Sequence, residues 1–304
     1  SLTTANSLVA VGRDSAHNTT TGIGNTALGR SSLYSNQTGN YNIAIGQSSL
    51  QNNTVSDNVA VGFESLQANT TGLNNTALGS KALKNATTGN NHVAVGYEAL
   101  NANTTGLNNT ALGATSLQLN TTGGYNLAAG KRALQSNTTA SFNTGLGTDS
   151  LRLNTTGTRN TAVGYGSLDA NTTASDNSAF GYNALSSNIT GLNNVAIGAT
   201  ALENATISNN NVAVGSRALK QLTSGLNNTA LGMGALQATT TAESNVAVGV
   251  SALNANTANN DTAIGRDALK ANTTASNNVA IGFESLNSNT TGNGVAVGYQ
   301  ALKS

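Results

Sequence analysis

The sequence predicts an all-β fold, a parallel β-roll or β-solenoid of 18 coils with a 17-residue period. Three observations carry that expectation. The pentapeptide N-x-A-x-G recurs along the whole chain, the apolar residues return to the same columns of every copy, and proline is absent. With its glycine as the marker, the motif falls at 18 positions from Gly12 to Gly298; fourteen of the 17 intervals are 17 residues and three are 16. A short fixed period makes each unit one coil, which buries its apolar face only by stacking on its neighbours. A proline would remove a ladder N–H from a stacked strand, so its absence fits. No linker or shift of composition interrupts the array, and residues 1–304 read as one continuous repeat unit.

Within one coil, around Gly79, the segment Thr76-Ala77-Leu78 is β-like and short. Ser80-Lys81 makes a turn, and Ala82-Leu83 begins a second short strand. Asn85 to Asn90 forms a second turn, rich in residues that tolerate tight backbone geometry. Two short strands and two turns give a narrow, flattened coil. Stacked at about 4.8 Å each, such coils would make a rod of roughly 85 Å.

The columns divide the coil into faces. The residue before the glycine is apolar in all 18 copies, and the residue four after it is Leu in 17, with Ala16 the exception. These two columns are expected to face each other across the interior. The residue two before the glycine is Ala in 17 copies, with Gly145 the exception. Neighbouring strand residues point to opposite faces. If the Val/Leu column points inward, the column of Ala60, Ala77, Ala94, Ala111, Ala162, Ala196, Ala213, Ala230 and Ala280 points outward. Its uniform small size then marks an oligomer seam against another copy of the chain. Inverting the two faces leaves the same conclusion, because both columns are apolar and one of them must face out.

The motif's Asn occurs in 14 copies, Asp261 is a similar fifteenth residue, and Leu8, His92 and Gly294 depart. Asn58, Asn75, Asn109, Asn160, Asn194, Asn211, Asn228 and Asn278 are expected to form a structural ladder. Each would bond its own turn backbone and its equivalent one coil away. The closing glycine supplies a backbone angle with positive φ.

Composition limits the function. Charged residues are 8% of the chain and the net charge is +1, so no basic stripe exists to follow a nucleic acid. There is no cysteine for disulfides or thiolate metal sites, and no apolar run long enough for a transmembrane helix. Direct membrane insertion by this segment is therefore not expected. His17 and His92 lie about four coils apart and cannot share a metal within one chain. The acidic residues are scattered, the G-G-x-G-x-D calcium pattern is missing, and no nucleophile–base pair stands out. No cofactor, metal or catalytic residue is assigned, and the chain is expected not to be an enzyme. Gly22-Ile23-Gly24 and Gly232-Met233-Gly234 lack the strand–helix context of a phosphate loop. Asn-x-Thr sequons are abundant, among them Asn69, Asn103, Asn120, Asn137, Asn154, Asn171 and Asn289, and are read here as turn chemistry. Aromatic residues recur directly after the glycine, at Phe63, Tyr97, Tyr165, Tyr182, Phe283 and Tyr299. That column also holds Arg13, Arg30, Lys131 and Arg266, so it is expected to be exposed, and its rings are weak candidates for stacking on sugars. Neither Ser1 nor the run Ala301-Leu302-Lys303-Ser304 reads as a polar cap, so the chain is expected to be an excerpt of a longer fibrous protein.

Two stretches, Asn194-Val195-Ala196-Ile197-Gly198 and Asn278-Val279-Ala280-Ile281-Gly282, resemble the head repeats of YadA-like trimeric autotransporter adhesins. The longer form, as in Asn160-Thr161-Ala162-Val163-Gly164-Tyr165-Gly166-Ser167-Leu168, is similar to N-T-A-x-G repeats of phage tail fibres and bacterial surface fibres. The resemblance implies a left-handed parallel β-roll, intertwined or side by side with two further copies as a homotrimer. It also implies an extracellular place on a cell surface or virion fibre, adhesion to a host surface, matrix protein or glycan, and no enzyme activity. The period is slightly longer than the usual head repeat, with an additional Asn-Thr-Thr-Gly turn. No stalk, neck or membrane anchor lies in the segment, so autotransport itself is not implied.

The N-x-A-x-G coils are also similar to ryegrass-type antifreeze β-rolls, which makes ice binding the alternative. That function needs a flat, regular face of Thr. The pairs Thr70-Thr71, Thr87-Thr88, Thr104-Thr105, Thr121-Thr122 and Thr155-Thr156 do not make a T-x-T face, because adjacent residues of an extended stretch point oppositely.

Overall fold

The computed structural model describes residues 7–289 and 292–303. It is a parallel β-solenoid without helix among the described residues. The chain divides into two compact units, Ser1–Thr156 and Gly157–Ser304. The first carries nine three-residue strands, from β1 (Val9–Val11) to β9 (Thr144–Leu146). The second carries nine more, from β10 (Thr161–Val163) to β18 (Val295–Val297). Within each unit every strand pairs in parallel with the next, one coil on. Thus β5 (Thr76–Leu78) lies on β6 (Val93–Val95) with Ala77 opposite Ala94 and Leu78 opposite Val95.

Among the described residues, the three middle residues of the motif form the one strand of each coil. The second strand expected at Ala82-Leu83 does not exist, because Lys81 and Leu83 have φ of 59° and 49°. Left-handed residues cannot continue a strand. Instead they turn successive amides to opposite sides of the coil. The Lys81 N–H donates to Phe63 O one coil back at 2.8 Å, and the Leu83 N–H donates to Ala99 O one coil on at 2.9 Å. Sixteen or seventeen residues thus close a coil that donates to both neighbours, while other amides bond within the turn, as Ala82 N–H does to Gly79 O at 3.2 Å.

The core corrects the expected faces. Ala60, Ala77, Ala94, Ala111, Ala162, Ala196, Ala213, Ala230 and Ala280 are fully buried inside a single chain, so they are not an outward seam. The residue before the glycine points outward instead; Leu78, Leu112, Ile197 and Leu231 are all exposed. The Leu column lies in the interior as expected, but the side chain it meets across the coil is Ala. At Gly145, the gap in the Ala column, a Cβ would lie 3.5 Å from Leu134 Cδ1 and 3.0 Å from Ser150 Oγ. One leucine, one methyl and a small Ala or Ser three after the glycine fill the space.

The strand-closing glycines are required twice over. At Gly96 φ is 135°, and a Cβ would approach both C and O of Gly113 in the next coil to 2.6 Å. No L side chain fits that conformation or that distance.

The buried leucines carry the opposite tension. Leu117 has φ of 48°, a region costing an L residue about 1–2 kcal/mol. Its side chain is fully buried, which contributes about 1.5–3 kcal/mol. Burial wins, and leucine stays where the backbone alone would favour glycine. Leu117→Ala loses the burial and keeps the strain, whereas Leu117→Gly loses the burial and relieves the strain. The expected outcome is that both variants are destabilised, with Leu117→Gly at least as stable as Leu117→Ala. That inverts the usual order of the two residues and is read from urea denaturation midpoints.

Candidate interaction surface

The interior is polar as well as apolar, and its polar groups are paired. Asn58, Asn75, Asn109, Asn160, Asn194, Asn211, Asn228 and Asn278 are all buried at the start of their strands. Asn58 shows the pattern: its Oδ1 accepts from the Asn75 N–H at 3.0 Å, and its Nδ2 donates to Gly72 O at 2.9 Å. Asn194 repeats it, with Oδ1 accepting from the Asn211 N–H at 3.0 Å and Nδ2 donating to Ser208 O at 2.8 Å. The amide column is a structural ladder with no face open to a ligand.

A second column of amides lies beside it and was not recognised in the sequence. The Asn69 Nδ2 donates to Asn53 Oδ1 at 2.7 Å and to Gly72 O at 2.9 Å, while its Oδ1 accepts from the Gly72 N–H at 3.0 Å. Asn137 on Asn120, Asn154 on Asn137, and Asn188 on Asn171 repeat the stacking at 2.7, 3.0 and 3.0 Å. These are the sequon asparagines. Asn69, Asn103, Asn120, Asn137, Asn154 and Asn171 are fully buried, and Asn289 donates to Asn278 Oδ1 at 2.9 Å. A glycan on any of the six would occupy the space of the next coil. The signal available in the sequence was the fixed spacing of the Asn-Thr pair relative to the strand.

Two buried polar residues replace Asn in the first column, His92 engaging both of its nitrogens and Asp261 keeping only the accepting half. His92 is fully buried. Its Nδ1 accepts from the Asn109 N–H at 3.1 Å, and its Nε2 lies 3.1 Å from Asn103 Nδ2. Burial pushes its pKa down from 6.5 to about 4, against hydrogen bonds to the backbone of Gly106 and Asn109. Asp261 accepts at Oδ1 from the Asn278 N–H and Nδ2, at 2.9 and 3.0 Å, and at Oδ2 from Asn272 Nδ2 at 3.0 Å. Burial raises its pKa above the usual carboxylate range, opposed by those donors. His17 is exposed and stacks on Tyr34, ring centroids 5.1 Å apart.

The outside of the coil has three kinds of column. The third strand residues form an apolar column along the sheet, Leu112 among its exposed members, which makes a strip with a first column that mixes Val, Ile and Leu, such as the exposed Val93, with Thr and Ser. Neither column carries a charge at any of its 18 positions. Charge gathers instead two and five residues after the glycine, where ions of neighbouring coils pair. Examples are Lys84 with Glu64 at 2.7 Å, Lys81 with Glu98 at 3.7 Å, and Lys220 with Glu203 at 3.2 Å. Between strip and charges runs the corner column directly after the glycine. Phe63, Tyr97, Tyr165, Tyr182 and Tyr299 are exposed there, and Phe283 is half-buried. Tyr165 stacks on Tyr182 at 5.6 Å and Phe283 on Tyr299 at 5.3 Å, while the Arg266 guanidinium lies 4.4 Å over Phe283. Stacked rings cover one another's faces, which leaves fewer open faces than six separate rings would offer.

No protein-family model matches the chain, and no curated protein matches it.

The two ladder substitutions give opposite responses to acid. For His92 the folded-state pKa lies below the unfolded one, so the unfolded chain takes up the proton first. Its contribution is complete above about pH 6.5 and is lost as the pH falls toward 4, on the order of 3 kcal/mol in all. For Asp261 the folded-state value is the higher, so ionisation costs stability at neutral pH and acid relieves that cost. His92→Asn is expected to abolish the loss of stability between pH 6.5 and 4, and Asp261→Asn to raise stability at pH 7. Urea midpoints measured across pH 4 to 8 check both.

Proposed function

We propose that this chain is a structural, adhesive segment of an extracellular fibre that assembles as a homo-oligomer and does no catalysis. One observation carries the reading: the two outward strand columns hold no charge and the third strand residue is apolar in every coil, on a protein that places its ions elsewhere. In each unit the strip is two residues wide and nine coils long, roughly 7 by 40 Å. An outline of about 280 Å² is no larger than the patches of ordinary monomers, so the support comes from the depletion of charge over every coil, which is typical of the fully buried part of an interface. A partner built on the same period meets the strip in register over its whole length, and a second copy of this chain is such a partner. The resemblance to trimeric adhesin heads favours three copies, left-handed, around one axis. Exclusion of catalysis follows from uniformity, since among the described residues the same few side chains recur from coil to coil. The extracellular, surface-attached setting rests on the resemblance alone.

The sheet is also regular enough to be weighed as an ice-binding face. Thr76, Thr110, Thr144, Thr161 and Thr229 occupy its first column, but the third column holds no Thr at all. The aliphatic column therefore favours assembly.

Light scattering of the 30.3 kDa chain tests the proposal. A trimer mass is expected, converted to monomer by Ile197→Lys together with Leu231→Lys in the strip and unchanged by Tyr165→Arg in the corner column. Circular dichroism would confirm that the strip variant is folded. A native monomer that shows thermal hysteresis would overturn assembly in favour of ice binding.

A further inference from the structure

The corner column holds a ladder of planar side chains with one rung missing. Where adjacent coils both carry rings the rings stack nearly parallel, Tyr165 with Tyr182 at 12° and Phe283 with Tyr299 at 14°. The backbone position thus aims a ring face along the direction of coil stacking. Phe63 and Tyr97 occupy the same position two coils apart, both exposed, with the small Ser80 on the coil between them. Two coil rises separate them by about 9.6 Å. A ring inserted above Ser80 would lie about 4.8 Å from each wall. That is close to the 5.3 and 5.6 Å at which the chain stacks its own rings.

The surroundings of the slot are polar. Ser80, half-buried, is its floor. Along its rim, two residues after each glycine, stand Glu64, Lys81 and Glu98, with Lys84 bound to Glu64 at 2.7 Å and Lys81 to Glu98 at 3.7 Å. The Glu98 carboxylate beside the Tyr97 hydroxyl holds that phenol above its ordinary pKa, which places the hydroxyl on the same rim. The four charges sum to zero, so the rim offers donors and acceptors to a neutral ligand.

We propose that the slot between Phe63 and Tyr97 binds one gluco-configured pyranose ring of a glycan. A flat aromatic ring occupies such a gap only as loosely as the chain's own rungs stack, since full face-to-face contact with both walls needs about 7–8 Å. A saturated ring is thicker and fills the wider gap. When all its substituents are equatorial, as in a β-glucopyranoside, it presents C–H bonds to both walls and directs every hydroxyl sideways. Those hydroxyls then meet Ser80, Lys81, Glu64 and Glu98. An axial hydroxyl, as at position 4 of a galactopyranoside, would point at one of the rings. The inference rests on the adhesive reading and gives it a ligand class.

Saturation-transfer NMR on the native assembly tests it, with methyl β-D-glucopyranoside as probe and methyl β-D-galactopyranoside as comparison. Transfer to the ring C–H protons of the glucoside is expected to exceed that to the galactoside. Phe63→Ala and Tyr97→Ala should each weaken binding about tenfold. Ser80→Phe supplies the missing rung, and is expected to abolish transfer while raising the melting temperature. This variant remains informative if either alanine variant misfolds. Transfer that is absent with native protein, equal for both sugars, or unchanged by Ser80→Phe would overturn the proposal. So would binding of N-acetyltyrosinamide without binding of the glucoside, which would assign the slot to a protein side chain. A failed sugar test with an intact trimer mass sinks the slot alone, whereas a monomer mass sinks the fibre reading.

Discussion

The width of the coil is the constraint on which the other features depend. A closed turn of 16 or 17 residues leaves room for few large side chains, and in 17 of the 18 copies Leu takes the place four after the glycine. Apart from exceptions such as the buried Leu222, the rest of the interior is small or bonds to backbone. The strand residue opposite is reduced to a methyl, the residue three after the glycine to Ala or Ser, and the strand-closing position to nothing at all. Where Ser stands, its hydroxyl turns back to the glycine carbonyl, as Ser116 does to Gly113 O at 2.9 Å. The same narrowness explains why Leu accepts a left-handed backbone. A right-handed residue at that position would send its N–H along the wrong side of the coil, and the bond to the next coil would be lost.

Buried amides are costly unless every donor and acceptor is used. Stacking solves this because each coil offers the next the same groups at the same height. An asparagine has one acceptor and one donor arm, and the column needs one of each: a carbonyl for the amide above and an NH₂ for the turn. His92 satisfies the geometry as a neutral ring with one accepting and one donating nitrogen. Asp261 satisfies only the accepting half, and Asn272 and Asn278 supply donors to it. The second column is more tolerant. It lapses at Thr19, Ala86, Ala205, Leu222 and Thr239, and beside Ala205 the Ser208 side chain is left with a buried hydroxyl that has no partner. Apolar filling at Leu222 shows that packing can replace the amide there, whereas the first column always presents a polar side chain between Asn25 and Asn278.

Periodicity made the architecture legible: the strand, the interior Leu, the glycine and the first amide column all stand at fixed phase. It did not say which of two apolar strand columns is inside. Alternation fixes that neighbours oppose, not the sign, and here both faces are apolar. Size would have decided it. Uniform Ala is what a narrow interior demands, whereas Val, Leu, Ile and Phe interchange at the third strand position because nothing in the chain confines them. The absent second strand escaped notice because Ala-Leu carries no turn residue. Its left-handed angles are imposed by hydrogen bonds to neighbouring coils rather than by local preference. The sequon asparagines looked like turn residues and are, but the turn lies against the next copy of itself, and stacking converts a local cap into a column.

Inside and outside follow different rules. Interior positions vary little because a change in one coil is felt by the coils on either side. Outside, each column can be rewritten one coil at a time, and the three exterior columns differ in how far that has gone. The charged columns vary freely in sign, as a solvated edge does. The corner column mixes rings, arginines and small residues, so that its aromatic faces are local features of particular coils. The strip varies in shape yet never admits a charge. On the proposed reading of self-assembly, shape variation without charge fits a partner that is also water-excluding and repeats with the same spacing. A rigid foreign ligand would need one shape from every coil, whereas an identical neighbour, carrying the same irregularities on the same period, can match each of them in turn.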